Sequence, residues 1–93
     1  MGTVRFEAEL QDARGGGHVV VVDEALAASI GARHRTRVRG RFCPAGYRSN
    51  LMKAHGVLYL GVHESTIAEA GVAVGVTVPV TMALDPDVRP GDP

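Results

Sequence analysis

Val22-Asp23-Glu24-Ala25-Leu26-Ala27-Ala28-Ser29-Ile30-Gly31-Ala32-Arg33-His34-Arg35-Thr36-Arg37-Val38 is answered forty residues later by Val62-His63-Glu64-Ser65-Thr66-Ile67-Ala68-Glu69-Ala70-Gly71-Val72-Ala73-Val74-Gly75-Val76-Thr77-Val78. Val22/Val62, Glu24/Glu64, Ala28/Ala68, Gly31/Gly71 and Val38/Val78 are identical pairs. In a chain this rich in Val, Ala and Gly, about one or two of the aligned positions would match by chance, so five are a usable repeat signal. The echo predicts one structural unit used twice.

Each copy reads as strand, short helix, strand. His18 to Val22 is a β-branched run suited to a strand buried on both sides. Asp23 can cap a helix from Glu24 to about Ile30, with Leu26 and Ile30 on one face and Gly31 just past its end. Arg35 to Phe42 returns as a strand. In the second copy, Val57 to Val62, Glu64 to Ala70 and Val76 to Leu84 fill the same roles, with Gly71 as terminator.

Outside the copies, Val4, Phe6, Ala8 and Leu10 alternate with Arg5, Glu7 and Glu9, the signature of a half-buried strand. Gln11 to Gly17, with three consecutive glycines, reads as a turn. Pro44 and Gly46 mark another, after which Tyr47 to Leu51 forms a short strand. Six strands rich in valine expose long edges unless the sheet closes on itself. The expected fold is therefore mainly β: a small closed six-stranded barrel with two short helices and a pseudo-two-fold β-α-β repeat. A flat sheet with both helices on one face is the alternative. A doubly wound nucleotide fold is disfavoured, because no G-x-G-x-x-G turn follows the first strand.

Ninety-three residues with a 45% hydrophobic share make one domain. The barrel is expected to span residues 1–84, and residues 85–93, rich in Pro and Asp, to form a loosely attached tail. No apolar run approaches the roughly 18 residues of a membrane span, and no signal-peptide pattern opens the chain. A soluble cytoplasmic protein without membrane contact is the expectation. Cys43 is the single cysteine and excludes an internal disulfide.

Net charge is zero but unevenly spread: from Ala25 to His63 there is no carboxylate, while Arg33, Arg35, Arg37, Arg39, Arg41, Arg48 and Lys53 fall there. In a strand of period two, the Arg35 to Arg41 arginines share one face and make a candidate anion-binding stripe. The competing reading pairs them across strands with carboxylates such as Glu7 and Glu9.

Val38-Arg39-Gly40, then Gly46-Tyr47-Arg48-Ser49-Asn50-Leu51-Met52, then Leu58-Tyr59-Leu60-Gly61-Val62, resemble a small bacterial domain-of-unknown-function family, found alone or fused ahead of a YdeI-type, bacteriocin-protection-like tail. The resemblance runs from Phe6 to Asp85. It implies a six-stranded barrel and no established activity. The chain departs from the family pattern at Ala54-His55-Gly56-Val57, at His63 where Asn is usual, and at Gly75-Val76 where Gly-Asp is usual.

Candidate chemistry centres on one expected mouth. If the loops around the fourth strand converge there, Arg48, Ser49, Arg41 and His63 would bind a small anionic or polar ligand. Tyr47 and His55 would move protons, and Cys43, near Arg41 and Arg48, would serve as a nucleophile. The histidines show no metal-ligand spacing, and neither a metal nor a cofactor is expected. Three functions follow in order: a ligand-binding or interaction barrel, with a homodimer as one possible assembly; a compact acid-base, isomerase or cyclase-type enzyme using His55, Tyr47 or Cys43; and nucleic-acid binding through the arginine stripe. Zero net charge puts nucleic acid last.

Overall fold

The computed structural model describes residues 2–13, 16–42 and 45–85. The alternation at the N-terminus becomes strand β1 (Thr3–Glu9), which is followed after Leu10 by the short β2 (Gln11–Asp12). Then come β3 (His18–Val22), helix α1 (Glu24–Ser29), β4 (Arg37–Phe42), β5 (Ala45–Ala54), β6 (Val57–Val62), helix α2 (Glu64–Ala70) and β7 (Thr77–Leu84). All pairings are antiparallel, in the order β1-β7-β4-β5-β6-β3-β2.

The fold is mainly β, but it is a seven-stranded sheet curled into a half-barrel and not the closed six-stranded barrel expected from the sequence. The difference lies at Leu10. Its N–H donates to the Val76 carbonyl at 3.0 Å and its carbonyl accepts from Gly75 N–H at 2.9 Å. The Leu10–Val76 bond is still in the β1–β7 register, the Gly75 bond is one residue off it, and beyond this point Gln11 and Asp12 pair with Val19 and His18. The two edges of the sheet, β1 and β2, are thus joined through the covalent chain.

A second bend of the same kind occurs in β5. Residues 45–50 pair with β4 and residues 51–54 with β6. At the changeover Leu51 N–H donates to Thr36 O at 3.0 Å, and Leu51 O accepts from Arg35 N–H at 2.7 Å. Leu10 and Leu51 are therefore structural equivalents, and the duplication extends beyond the stretch that announced it. The ladder registers agree: Val20 faces Leu60, and the β4–β7 register brings Arg41 opposite Thr81. Both pairs are forty residues apart, so a pseudo-two-fold axis passes between their members.

The core lies inside the curl. Leu10, Val20, Val38, Phe42, Leu51, Leu60, Val80 and Met82 are all at most 1% exposed; burying each large apolar side chain stabilises the fold by about 1.5–3 kcal/mol. α1 packs against β1 and α2 against β5, burying Ala27 and Thr66. Asp23 caps α1 through its carboxylate, which accepts from Ala25 N–H at 2.8 Å. β3 is not buried on both sides: Val20 and Val22 face inward while Val21 is exposed, because only one face of this strand meets the core.

At Gly40 the β7 backbone comes close, and a β-carbon there would lie 2.0 Å from the Thr81 carbonyl oxygen. Only glycine admits that approach without displacing the β7 backbone. Asp85, expected to begin the tail, is buried and donates its N–H to Arg37 O at 3.2 Å. The rest of the tail and Cys43 lie outside the described residues.

Candidate anion-binding face

Strand β4 sends Val38 and Phe42 inward and leaves Arg37, Arg39 and Arg41 on the outer face. Three of the four stripe arginines therefore share a face as expected. Arg35 does not: it precedes the strand in a turn at φ 71°. Nor do the arginines lie opposite Glu7 and Glu9, whose register partners are Pro79 and Thr77 on β7. Across from Arg39 stands Arg48, with Asn50 across from Arg37 and Gly46 across from Arg41.

Arg39, Arg41 and Arg48 surround a broad, shallow depression whose floor is made by small residues, among them Gly40, Gly46, Thr81 and Ala83. The pseudo-two-fold axis passes through it. Arg41 N–H donates to Thr81 Oγ1 at 2.9 Å, and the Tyr47 hydroxyl donates from below to Thr81 O at 2.6 Å. Arg48 Nε lies 3.8 Å from the buried Asp85 carboxylate. A shallow basic surface floored by small side chains and backbone suits an anion held by fork-like guanidinium contacts.

The expected single mouth does not form. Successive residues of a strand point to opposite faces, so Arg48 is exposed on the outside while its neighbours Tyr47 and Ser49 are buried. Arg41, Tyr47 and Arg48 line the depression. Ser49 and His63 line a different cleft, where β5 leaves β4 for β6, together with Arg37, Asn50, Met52, Tyr59, Gly61 and Val19. His55 lies elsewhere again: with Gly56 it makes the tight β5–β6 turn, both residues at positive φ.

Burial pushes the Tyr47 phenol above its ordinary range. Its proton is committed to Thr81 O, which makes it a structural donor and a poor acid-base group. His18 lies 3.3 Å from Asp12, and His34 Nδ1 accepts from Lys53 N–H at 2.8 Å. Among the described residues, no three His, Cys, Asp or Glu side chains gather as metal ligands, and no helix is long and apolar enough to cross a membrane.

Sequence reasoning missed Arg39 as a partner of Arg48 and missed the floor residues Thr81 and Ala83, which come from a strand some forty positions away. The signal was present only in part: Arg39-Gly40 and Gly46-Tyr47-Arg48 carry the family resemblance, and both stretches line the depression. No curated protein and no solved structure gives a significant match to the chain. A family profile described as domain of unknown function (DUF1905) matches residues 6–82, which takes in every element from β2 to α2, the second half of β1 and most of β7, and so the chain belongs to that family.

Proposed function

We propose that the chain is a small anion-binding module whose ligand sits on the outer face between Arg39, Arg41 and Arg48. The observation that carries this reading is the cross-strand register of Arg39 and Arg48. Like charges directly opposite one another in an antiparallel pair are destabilising, commonly by some 0.2–1 kcal/mol. Arg41 adds a third cation on the same rim. The Asp85 carboxylate, 3.8 Å from Arg48 Nε, offsets part of this repulsion. An anion bound between the arginines converts the remainder into charge-assisted hydrogen bonds, and the small-residue floor lets it approach the strands. A phosphate-type dianion is the matching chemistry, since several guanidinium groups converge on an open surface.

Isothermal titration with sodium pyrophosphate at low ionic strength tests the reading. Saturable binding is expected, weakened at least about tenfold by Arg41→Gln, because a charge-assisted hydrogen bond contributes roughly 1.5–3 kcal/mol. Absence of binding, or binding unchanged in Arg41→Gln, contradicts it.

A nucleic-acid backbone is the second reading, favoured by the regular spacing of Arg37, Arg39 and Arg41 along one exposed strand, roughly 6.5–7 Å from each to the next. Retention on single-stranded oligonucleotide that falls steeply with salt, and that exceeds the affinity for pyrophosphate, distinguishes it. Catalysis has less support: Tyr47, His55 and His63 occupy separate places, and Cys43 is outside the described residues.

A further inference from the structure

The cleft between the diverging ends of β5 and β6 has a counterpart in the other half of the duplication, and the two differ in a consistent way. Ser49 corresponds to Ala8, Gly61 to Val21, His63 to Asp23 and Asn50 to Glu9. Where the first half carries a methyl group and a valine, the second carries a hydroxyl and no side chain at all. A β-carbon at Gly61 would lie 3.3 Å from Ser49 Oγ, so the missing side chain is what keeps the cleft open above the serine. Gly61 has no positive φ, so backbone conformation does not demand glycine there. Asp23 spends its carboxylate on capping α1, whereas His63, in the matching position before α2, makes no side-chain cap hydrogen bond. Polar groups have thus been placed in one half at positions that the other half fills or uses for structure.

Arg37 reaches this cleft from β4 and is held there by Asn50, whose Oδ1 accepts from Arg37 Nη1 at 3.0 Å. One guanidinium, a serine hydroxyl, an amide and an imidazole converge at this end. The other end presents Val19, Met52 and Tyr59, which also line the adjoining trough, whose far side carries Gln11, Asp12, Ala13, Ala54 and His55. Met52 is 50% exposed on an outer sheet face, so the trough offers unburied apolar surface next to a cation.

We propose that this cleft is a second binding site, distinct from the basic depression, for a small carboxylic acid with an apolar tail. The carboxylate lies between Arg37, Ser49 and His63, and the tail lies along Val19, Met52 and Tyr59. A monoanion fits this end because a single guanidinium serves it, in contrast to the three that surround the depression. Burial of the tail against Met52 and Tyr59 supplies the rest of the affinity.

Sodium octanoate, followed by NMR amide shifts and calorimetry on the full chain, tests the proposal. Saturable binding is expected, with shifts clustered at Asn50, Met52, Gly61 and His63. Arg37→Gln weakens it at least about tenfold through the lost charge-assisted contacts. The double variant Ser49→Ala, Gly61→Val installs the pair that the first half already carries, so it is expected to fold and to lose octanoate binding while retaining pyrophosphate binding at the depression. Arg39→Gln is expected to leave octanoate affinity within about twofold, since screening limits its reach. The proposal is overturned if octanoate fails to saturate, if the double variant folds and still binds it, or if octylamine binds as well as octanoate.

Discussion

At the residue scale, several positions carry a structural cost that a single substitution exposes. Arg35 adopts φ 71° at the place where the other half has Gly75 at φ 95°. A left-handed conformation costs a non-glycine residue roughly 1–2 kcal/mol, offset in part by the greater unfolded-state freedom of glycine. Arg35→Gly is therefore expected to raise stability by up to about 1 kcal/mol, read from the urea midpoint. Tyr47 is the converse. Its hydroxyl serves the Thr81 carbonyl inside the curl, and Tyr47→Phe is expected to destabilise the fold by about 1–3 kcal/mol through that unsatisfied acceptor. The phenol also confers a pH dependence. Because its pKa is raised in the folded state, the native protein holds this proton where the unfolded chain releases it. Stability is complete below about pH 10, the ordinary tyrosine value, and falls as pH rises above it. Chemical denaturation at rising alkaline pH should show that decline, and Tyr47→Phe should remove Tyr47's share of it.

At the element scale, the β4–β5 pair sets stability against the proposed anion binding. Arg39→Glu replaces a like-charged cross-strand pair with an opposite one. Such pairs differ by roughly 0.2–1 kcal/mol, so the variant is expected to melt slightly higher than the parent while losing pyrophosphate affinity. Thermal denaturation and calorimetry on the same sample read both changes. A variant that loses stability along with affinity would point to a structural role for Arg39. The same strands show what was and was not legible in the sequence. Helix limits and those of β3 and β6 were readable, because Asp23, Gly31 and Gly71 mark helix ends and apolar runs mark strands. By contrast, β5 spans Ala45–Ala54 instead of Tyr47 to Leu51, β4 begins at Arg37 instead of Arg35, and β2 lies where Gln11 to Gly17 reads as a turn. Period two also places Arg48 and Ser49 on opposite sides of β5, and an expected site that joined them ran against it. The opposition of Arg39 and Arg48 depends on the register between β4 and β5, which no local pattern reveals.

At the scale of the whole molecule, duplication organises the architecture and its asymmetry supplies the candidate sites. The bend at Leu10 could not be read from sequence, because Val4, Phe6, Ala8 and Leu10 keep their inward alternation while the strand exchanges hydrogen-bonding partners beneath it. Leu10 and Leu51, both 0% exposed, hold equivalent corners of the curl. Leu10→Ala and Leu51→Ala are each expected to cost about 2–5 kcal/mol and to leave a single cooperative urea transition. Two separate transitions would mean that the halves fold as independent units. The face carrying the pseudo-two-fold axis is basic on one side, at Arg39, Arg41 and Arg48. The matching positions on the other side are Pro79, Thr81 and Glu7. That imbalance is the ground for the proposed anion site on a chain with no net charge. Its most direct test is a residue-resolved NMR titration with sodium pyrophosphate at low ionic strength. Saturable amide shifts confined to Gly40, Arg41, Gly46, Arg48, Thr81 and Ala83, and absent in Arg39→Glu, are the predicted result. Shifts that are unsaturable, scattered over the surface or unchanged in Arg39→Glu would contradict it.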